Sequence, residues 1–264
     1  MKFGMPTLVE CSGIDECIKV AKDCHLDFIE INMSFPEYQT SSLDIEHLKN
    51  EIAHSGLFFP IHADEQLNPF DFNKEVSECY FSVMRKTILF AKELGIPLIN
   101  MHLLKGVYVT LPDRVILLSD VYRLAYLGRV REFIAMCEEE IGDAPLKIAI
   151  ENVDTNPFTE GQKEALALFL ASDKFALTLD TGHEMCLNYK DTSIFEKYPE
   201  KLWHMHLHDS NGKHAHLPLG TANLVVGETL SRLREGETCL IEVKTVAGLK
   251  ESISYLKQLG IFSK

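Results

Sequence analysis

The sequence has no Cys-x-x-Cys pair, a single tryptophan, and no apolar run long enough to span a bilayer. Its seven cysteines are scattered and odd in number. That excludes a disulfide framework or a thiolate zinc site and points to reduced thiols in a cytoplasmic protein. Positive charge is scarce too. Twenty-six Lys and Arg against 39 Asp and Glu leave a formal charge of −13, so neither nucleic acid nor an anionic membrane is the expected partner. The N-terminal stretch MKFGMPTLVECSG is broken by Gly4 and Pro6 and is too short for the apolar region of a signal peptide. No Gly-rich phosphate turn follows the first expected strand, which argues against a dinucleotide-binding open sheet. Repeats of solenoid period and low-complexity tracts are also lacking.

What remains is an ordinary globular composition, 46% hydrophobic and 25% charged. Short β-rich runs alternate with amphipathic segments from end to end. Strands are expected at 2–9, 28–33, 57–63, 97–103, 147–152, 175–180, 202–208 and 239–243. Helices are expected at 14–25, 43–55, 71–94, 113–141 (broken near Gly128), 161–171, 191–197, 224–233 and 249–259. This alternation is the pattern of a single (β/α)8 TIM barrel, and the expected domain is residues 1–264.

One stretch organises the rest. Leu202–Gly220 holds five of the 11 histidines: His204, His206 and His208 alternate with apolar residues, and His214 and His216 follow in a Gly-containing loop. On a strand, the first three share one face. Imidazole is the commonest metal-ligating side chain, so the other strand ends are where partners are expected. His62, His102, Glu151, Asp180, His206 and Glu242 all lie there, with His183 in the loop after the sixth strand. In a barrel these ends converge on one rim. Any one of them alone reads as a cap or a core histidine. Together they would repel or be desolvated without a cation.

Carboxylates and imidazoles without thiolate suit a divalent metal, zinc or manganese first, with cobalt and iron also compatible. Nine candidate ligands exceed the capacity of one ion and imply up to three, or one ion with substrate-facing neighbours. His204 is expected below the rim and His208 above it, facing substrate. Glu30, Lys105, Lys213 and Lys244 also fall near strand ends, where the lysines would either receive an anionic group or stay solvated.

The segments IEN at Glu151, LDTGH at Asp180 and His183, HMHLHD at His206, HAHLPLG at His214 and His216, and IEV at Glu242 resemble the xylose isomerase-like barrels. That superfamily includes sugar isomerases and epimerases and the endonuclease IV group of abasic-site nucleases, and the resemblance covers essentially the whole chain. In the epimerases it implies one metal on Glu151, Asp180, His206 and Glu242. Glu151 and Glu242 are then the catalytic pair, exchanging a proton through a metal-stabilised enediolate, and His183 contacts substrate. In the nuclease it implies three zinc ions. The first maps onto His62, His102 and Glu151, the second onto the same quartet, and the third onto His183, His214 and His216, with His214 where that group has Asp.

The expected function is a divalent-metal-dependent isomerase or epimerase acting on a small-molecule sugar. A multi-zinc phosphodiesterase is the alternative, and a metal-binding barrel without catalysis is the third reading. Retention of His62 and His102 favours the nuclease; the acidic charge and the lack of a basic DNA-penetrating loop favour the sugar enzyme. Self-association as a homo-oligomer is left open.

Overall fold

Apolar residues on consecutive positions let a strand bury both faces, as a parallel sheet under helices requires. In a computed structural model, which describes residues 1–263, the apolar runs are used in this way. The last residue of the expected domain lies outside the described residues. The barrel strands are β1 (Lys2–Pro6), β2 (Phe28–Asn32), β3 (Ile61–His62), β4 (Leu98–His102), β7 (Lys147–Glu151), β8 (Phe175–Asp180), β9 (Leu202–Leu207) and β10 (Thr238–Ile241), and β5 (Tyr108–Thr110) and β6 (Val115–Leu117) form a separate hairpin. They close in the order β1-β10-β9-β8-β7-β4-β3-β2, with every neighbouring pair parallel.

The helices between strands carry the expected one-sided burial. Lys74–Leu94 packs Phe81, Met84, Ile88 and Ala91 inward; Asn73 caps its start and Gly95, at φ 65°, ends it. Inside the barrel, Gly4 is required where it is, because a Cβ there would lie 2.3 Å from the Phe28 ring.

Several expected boundaries change. The 57–63 run pairs as a named strand only at Ile61–His62, since Pro60 has no N–H to give a ladder. The last strand ends at Ile241, leaving Glu242 one residue beyond it. Helix 224–233 shrinks to Val226–Leu230. The expected helix 113–141 loses its start to the hairpin: Val115–Leu117 pairs antiparallel with Tyr108–Thr110, as β-branched residues on either side of a Pro-Asp turn favour. Its break falls at Tyr122, between Leu118–Val121 and Arg123–Ile141, and Gly128 lies within the second helix. Finally, Thr181–Cys186 is helical, so His183 stands on a helix springing directly from β8 and not in a loop.

Candidate metal centre

Strand register brings the rim together. His102 stands opposite Glu151 across β4 and β7, and Asp180 stands opposite His206 across β8 and β9. His206 Nδ1 lies 3.2 Å from Glu151 Oε1, 3.1 Å from Glu242 Oε2 and 3.7 Å from Asp180 Oδ2. One ligand atom from each of the four lies within 4.8 Å of the others. All four residues are buried, yet His206 Nδ1 and Glu242 Oε2 have no hydrogen-bond partner of acceptable geometry. Three buried carboxylates and an imidazole around a common point fit a divalent cation of the zinc or manganese kind.

The charges confirm how tightly the four are linked. Burial pushes the Glu151 carboxyl up, but His206 and His102 outweigh it and hold it well below the usual carboxylate range. Burial likewise acts on Glu242, and Lys244 and His206 reverse it. His206 is drawn down by burial and then raised well above its ordinary value by Glu151, Glu242 and Glu30.

Glu30 is a contributor that the sequence pattern left without a role. It is buried on β2, with Oε1 3.1 Å from His206 Nε2 and Oε2 3.1 Å from His204 Nε2. His204 Nδ1 in turn lies 2.6 Å from Thr238 Oγ1. A carboxylate on the far nitrogen of a ligating histidine fixes its tautomer and orientation; here it leaves His206 Nδ1 for the quartet. The available signal was one acidic residue inside the apolar run FIEIN.

On the other side of Glu151, His62 Nε2 and His102 Nε2 lie 3.3 and 3.4 Å from Oε2, and Asn100 Nδ2 donates to the same oxygen. His62 Nδ1 donates to the Ala63 carbonyl at 2.7 Å. Burial pulls His62 down, but its hydrogen bond to Glu151 and that residue's charge raise it to about 9. His62, His102 and Glu151 form a second possible ligand group.

A third group, His183, His208 and His216, is also close enough to hold an ion. Its hydrogen bonds argue otherwise. The His216 backbone N–H donates to His208 Nδ1 at 2.7 Å. A backbone N–H can only donate, so Nδ1 bears the lone pair and the ring proton sits on Nε2, which donates to Asp180 Oδ2 at 3.0 Å. Ligation through Nε2 would require an imidazolate. His208 therefore supports Asp180 and is fully buried away from the cavity, which corrects the expectation that it faces substrate. Gly182 makes room for it: a Cβ there would lie 2.0 Å from His208 Cε1.

His214 also departs from expectation. It is exposed, its N–H donates to Asn211 Oδ1 in the turn after Gly212, and it joins no ligand group among the described residues. The loop is pinned at its base instead, where Asp209 accepts the N–H groups of Gly220, Ala222 and Leu224. His216 lies on the inner side of the loop with φ 58°, a strained conformation for a non-glycine. Burial holds His216 down to about 4 against the opposing charge of Glu242. His183 Nδ1 donates to the Asn152 carbonyl at 3.0 Å, leaving Nε2 free.

Above the quartet opens a cavity of about 540 Å³, bordered by His62, His102, His183, His216, Glu242 and Lys244. Lys244 Nζ lies 2.8 Å from Glu242 Oε1. Lys105 lies over the Tyr108 ring at 4.4 Å and Lys213 is exposed; neither borders the cavity.

No curated protein matches this chain significantly. Among solved structures, a D-tagatose 3-epimerase-like protein is similar at 24% identity and TM-score 0.78, over 99% of this chain and 98% of that one. An IOLI protein with a bound zinc atom is similar at 16% identity and TM-score 0.73, over 99% and 97%. Endonuclease IV from Thermus thermophilus is similar at 18% identity and TM-score 0.69, over 98% and 100%. These likenesses concern the fold. The model of the xylose isomerase-like TIM barrel family matches residues 18–259, and with the closed parallel barrel and its rim described, the chain belongs to that family.

Proposed function

We propose that this protein is a divalent-metal-dependent isomerase or epimerase that moves a proton between carbon atoms of a sugar or sugar-like ketone. The observation that carries this reading is the pair Glu151 and Glu242, set 3.2 and 3.1 Å from the same nitrogen of His206. Two carboxylates converging on one point allow a proton to be removed from a carbon and returned to it or its neighbour. A cation held by Glu151, Asp180, His206 and Glu242 supplies Lewis-acid polarisation of a carbonyl oxygen.

The chain's own residues divide the remaining work. Glu242 borders the cavity and is the first base, with Lys244 holding one oxygen and the other left without a hydrogen bond. Glu151 is the second carboxylate. Asn100, His62 and His102 gather on its Oε2 and leave Oε1 toward the centre. His183 directs its free Nε2 at a substrate oxygen, and His62 and His102 border the cavity beside Glu151. The test is exchange of the C–H proton of candidate ketoses with deuterated solvent. Glu151→Gln and Glu242→Gln are each expected to abolish it; undiminished exchange in either would remove the assigned role.

A second reading, a multi-zinc phosphodiesterase, is favoured by the His62, His102 and Glu151 group. Against it stands the outward His214, which leaves the third ion's set of His183, His214 and His216 incomplete. Incision of abasic-site DNA at low salt by zinc-loaded protein, lost in His102→Ala, would support it.

A further inference from the structure

The end of the barrel opposite the metal centre carries a second cavity, of about 680 Å³. The strands begin there. Lys2 opens β1 and stands opposite Thr238, which opens β10; Leu98 opens β4 opposite Lys147, which opens β7. This face of a barrel serves stability, and a face with that role alone covers its apolar surface. Here the surface stays open. Phe58, Pro60, Pro97, Leu98 and Trp203 border the cavity, and Trp203, the chain's single tryptophan, is 38% exposed. A large aromatic surface beside a cavity is a feature of ligand grooves.

The charge around this mouth is the reverse of the chain's. Lys2 Nζ lies 4.8 Å over the Phe58 ring, and Lys147 Nζ lies 4.7 Å over the Trp203 ring. Among the described residues, neither amine enters an ion pair. Lys147 donates to the Asp173 carbonyl, with Lys201 on the Ser172 carbonyl at 2.9 Å and Lys174 on the Ala144 carbonyl at 3.5 Å. Burial, then Lys201, lowers the Lys147 amine; Asp173 opposes this and Lys174 adds to it. Two carboxylates border the cavity as well. Glu237 is occupied by Arg234, whose backbone N–H and Nε each donate to it at 2.7 Å, and Glu235 is exposed. A flat apolar body covers the aromatic surface, and an anionic group on it relieves the repulsion among the lysines.

We propose that this cavity is a second binding site, for a planar aromatic carboxylate. The ring lies against Trp203 and Phe58; Lys147 receives the carboxylate, and Lys2 adds charge from beside Phe58. Such a site is independent of the isomerase reading and of any metal at the rim.

The test uses the full chain without metal, so that the rim offers the probe no Lewis acid. The single tryptophan gives one indole N–H resonance, which reads this cavity. 2-Naphthoate is expected to shift it saturably, with a Kd of about 1 mM or tighter. 2-Naphthalenemethanol has the ring without the charge, and octanoate the charge without the ring; each should bind about fivefold or more weaker. By calorimetric titration, Trp203→Leu and Lys147→Met should each weaken naphthoate binding about fivefold, and Lys2→Met about two- to threefold. An indole resonance that naphthoate leaves unmoved overturns the site, and heat of binding without that shift does so too. Equal or tighter binding of the alcohol or of octanoate also overturns it, as does undiminished naphthoate affinity in both Trp203→Leu and Lys147→Met.

Discussion

Two groups of side chains at the same barrel rim look alike by distance and differ in what they can hold. In the quartet, the far nitrogen of His206 faces the carboxylate of Glu30, so the near one can offer its lone pair, together with oxygens of Glu151, Asp180 and Glu242, to a cation. In the trio of His183, His208 and His216, the ring centroids of His208 and His216 are only 4.3 Å apart. Yet a backbone N–H on the far nitrogen of His208 leaves its near one a donor. Ring density is therefore a poor guide to ligand capacity. The partner of the nitrogen pointing away decides.

The largest effect should separate the two groups outright. Asp180→Asn is expected to weaken metal binding, read by chelator competition, well beyond the roughly 100-fold ceiling for contacts around a site. His208→Gln, which removes only support, should stay within about 10- to 100-fold. Equal losses would show that His208 ligates after all.

The histidines also separate by pH in metal-free protein. His62 is raised from 6.5 to about 9 in the folded state. Its contribution, about 3 kcal/mol, is fully present below pH 6.5 and lost as pH rises through 9. His216 is lowered to about 4, so its contribution is present above pH 6.5 and falls away as pH drops toward 4. Denaturant titrations across pH 5–10 should show the alkaline loss and lose it in His62→Gln; a persistent alkaline slope in that variant would reassign it.

Gly182→Ala sharpens the contrast in a different way. The new Cβ forces the His208 ring off Asp180, at a cost of about 1–3 kcal/mol. Thermal unfolding measures that cost, and metal affinity should fall with it. Unchanged affinity would mean that Asp180 needs no support from His208. The smallest effect belongs to His214→Ala. An exposed loop residue should shift stability by within about 0.5 kcal/mol and metal affinity by less than twofold, and a larger loss of affinity would restore His214 to the ligand set.

Much of the site could be read from strand ends alone. Glu151, Asp180 and His206 lie at or next to the last residues of their strands, and Glu242 one step beyond, so closing the barrel was enough to bring them together. His214 and His208 could not be read in that way. His214 follows a turn whose direction is set by Gly212 and by the grip of Asp209 on residues 220–224, and His208 depends on a backbone N–H eight residues further along. The hairpin at 108–117 escaped for a related reason: a helical pattern in 113–141 continues through residues whose pairing partner lies outside the pattern.

By itself the sequence determined the alternation of strands and helices, their closure into a barrel and the residue types gathered at one rim, because side-chain period and polar strand ends are local properties. Only the tertiary structure decided which imidazole nitrogens are free and which histidine leaves the site. Each of those depends on a single hydrogen bond between residues that the fold alone makes neighbours.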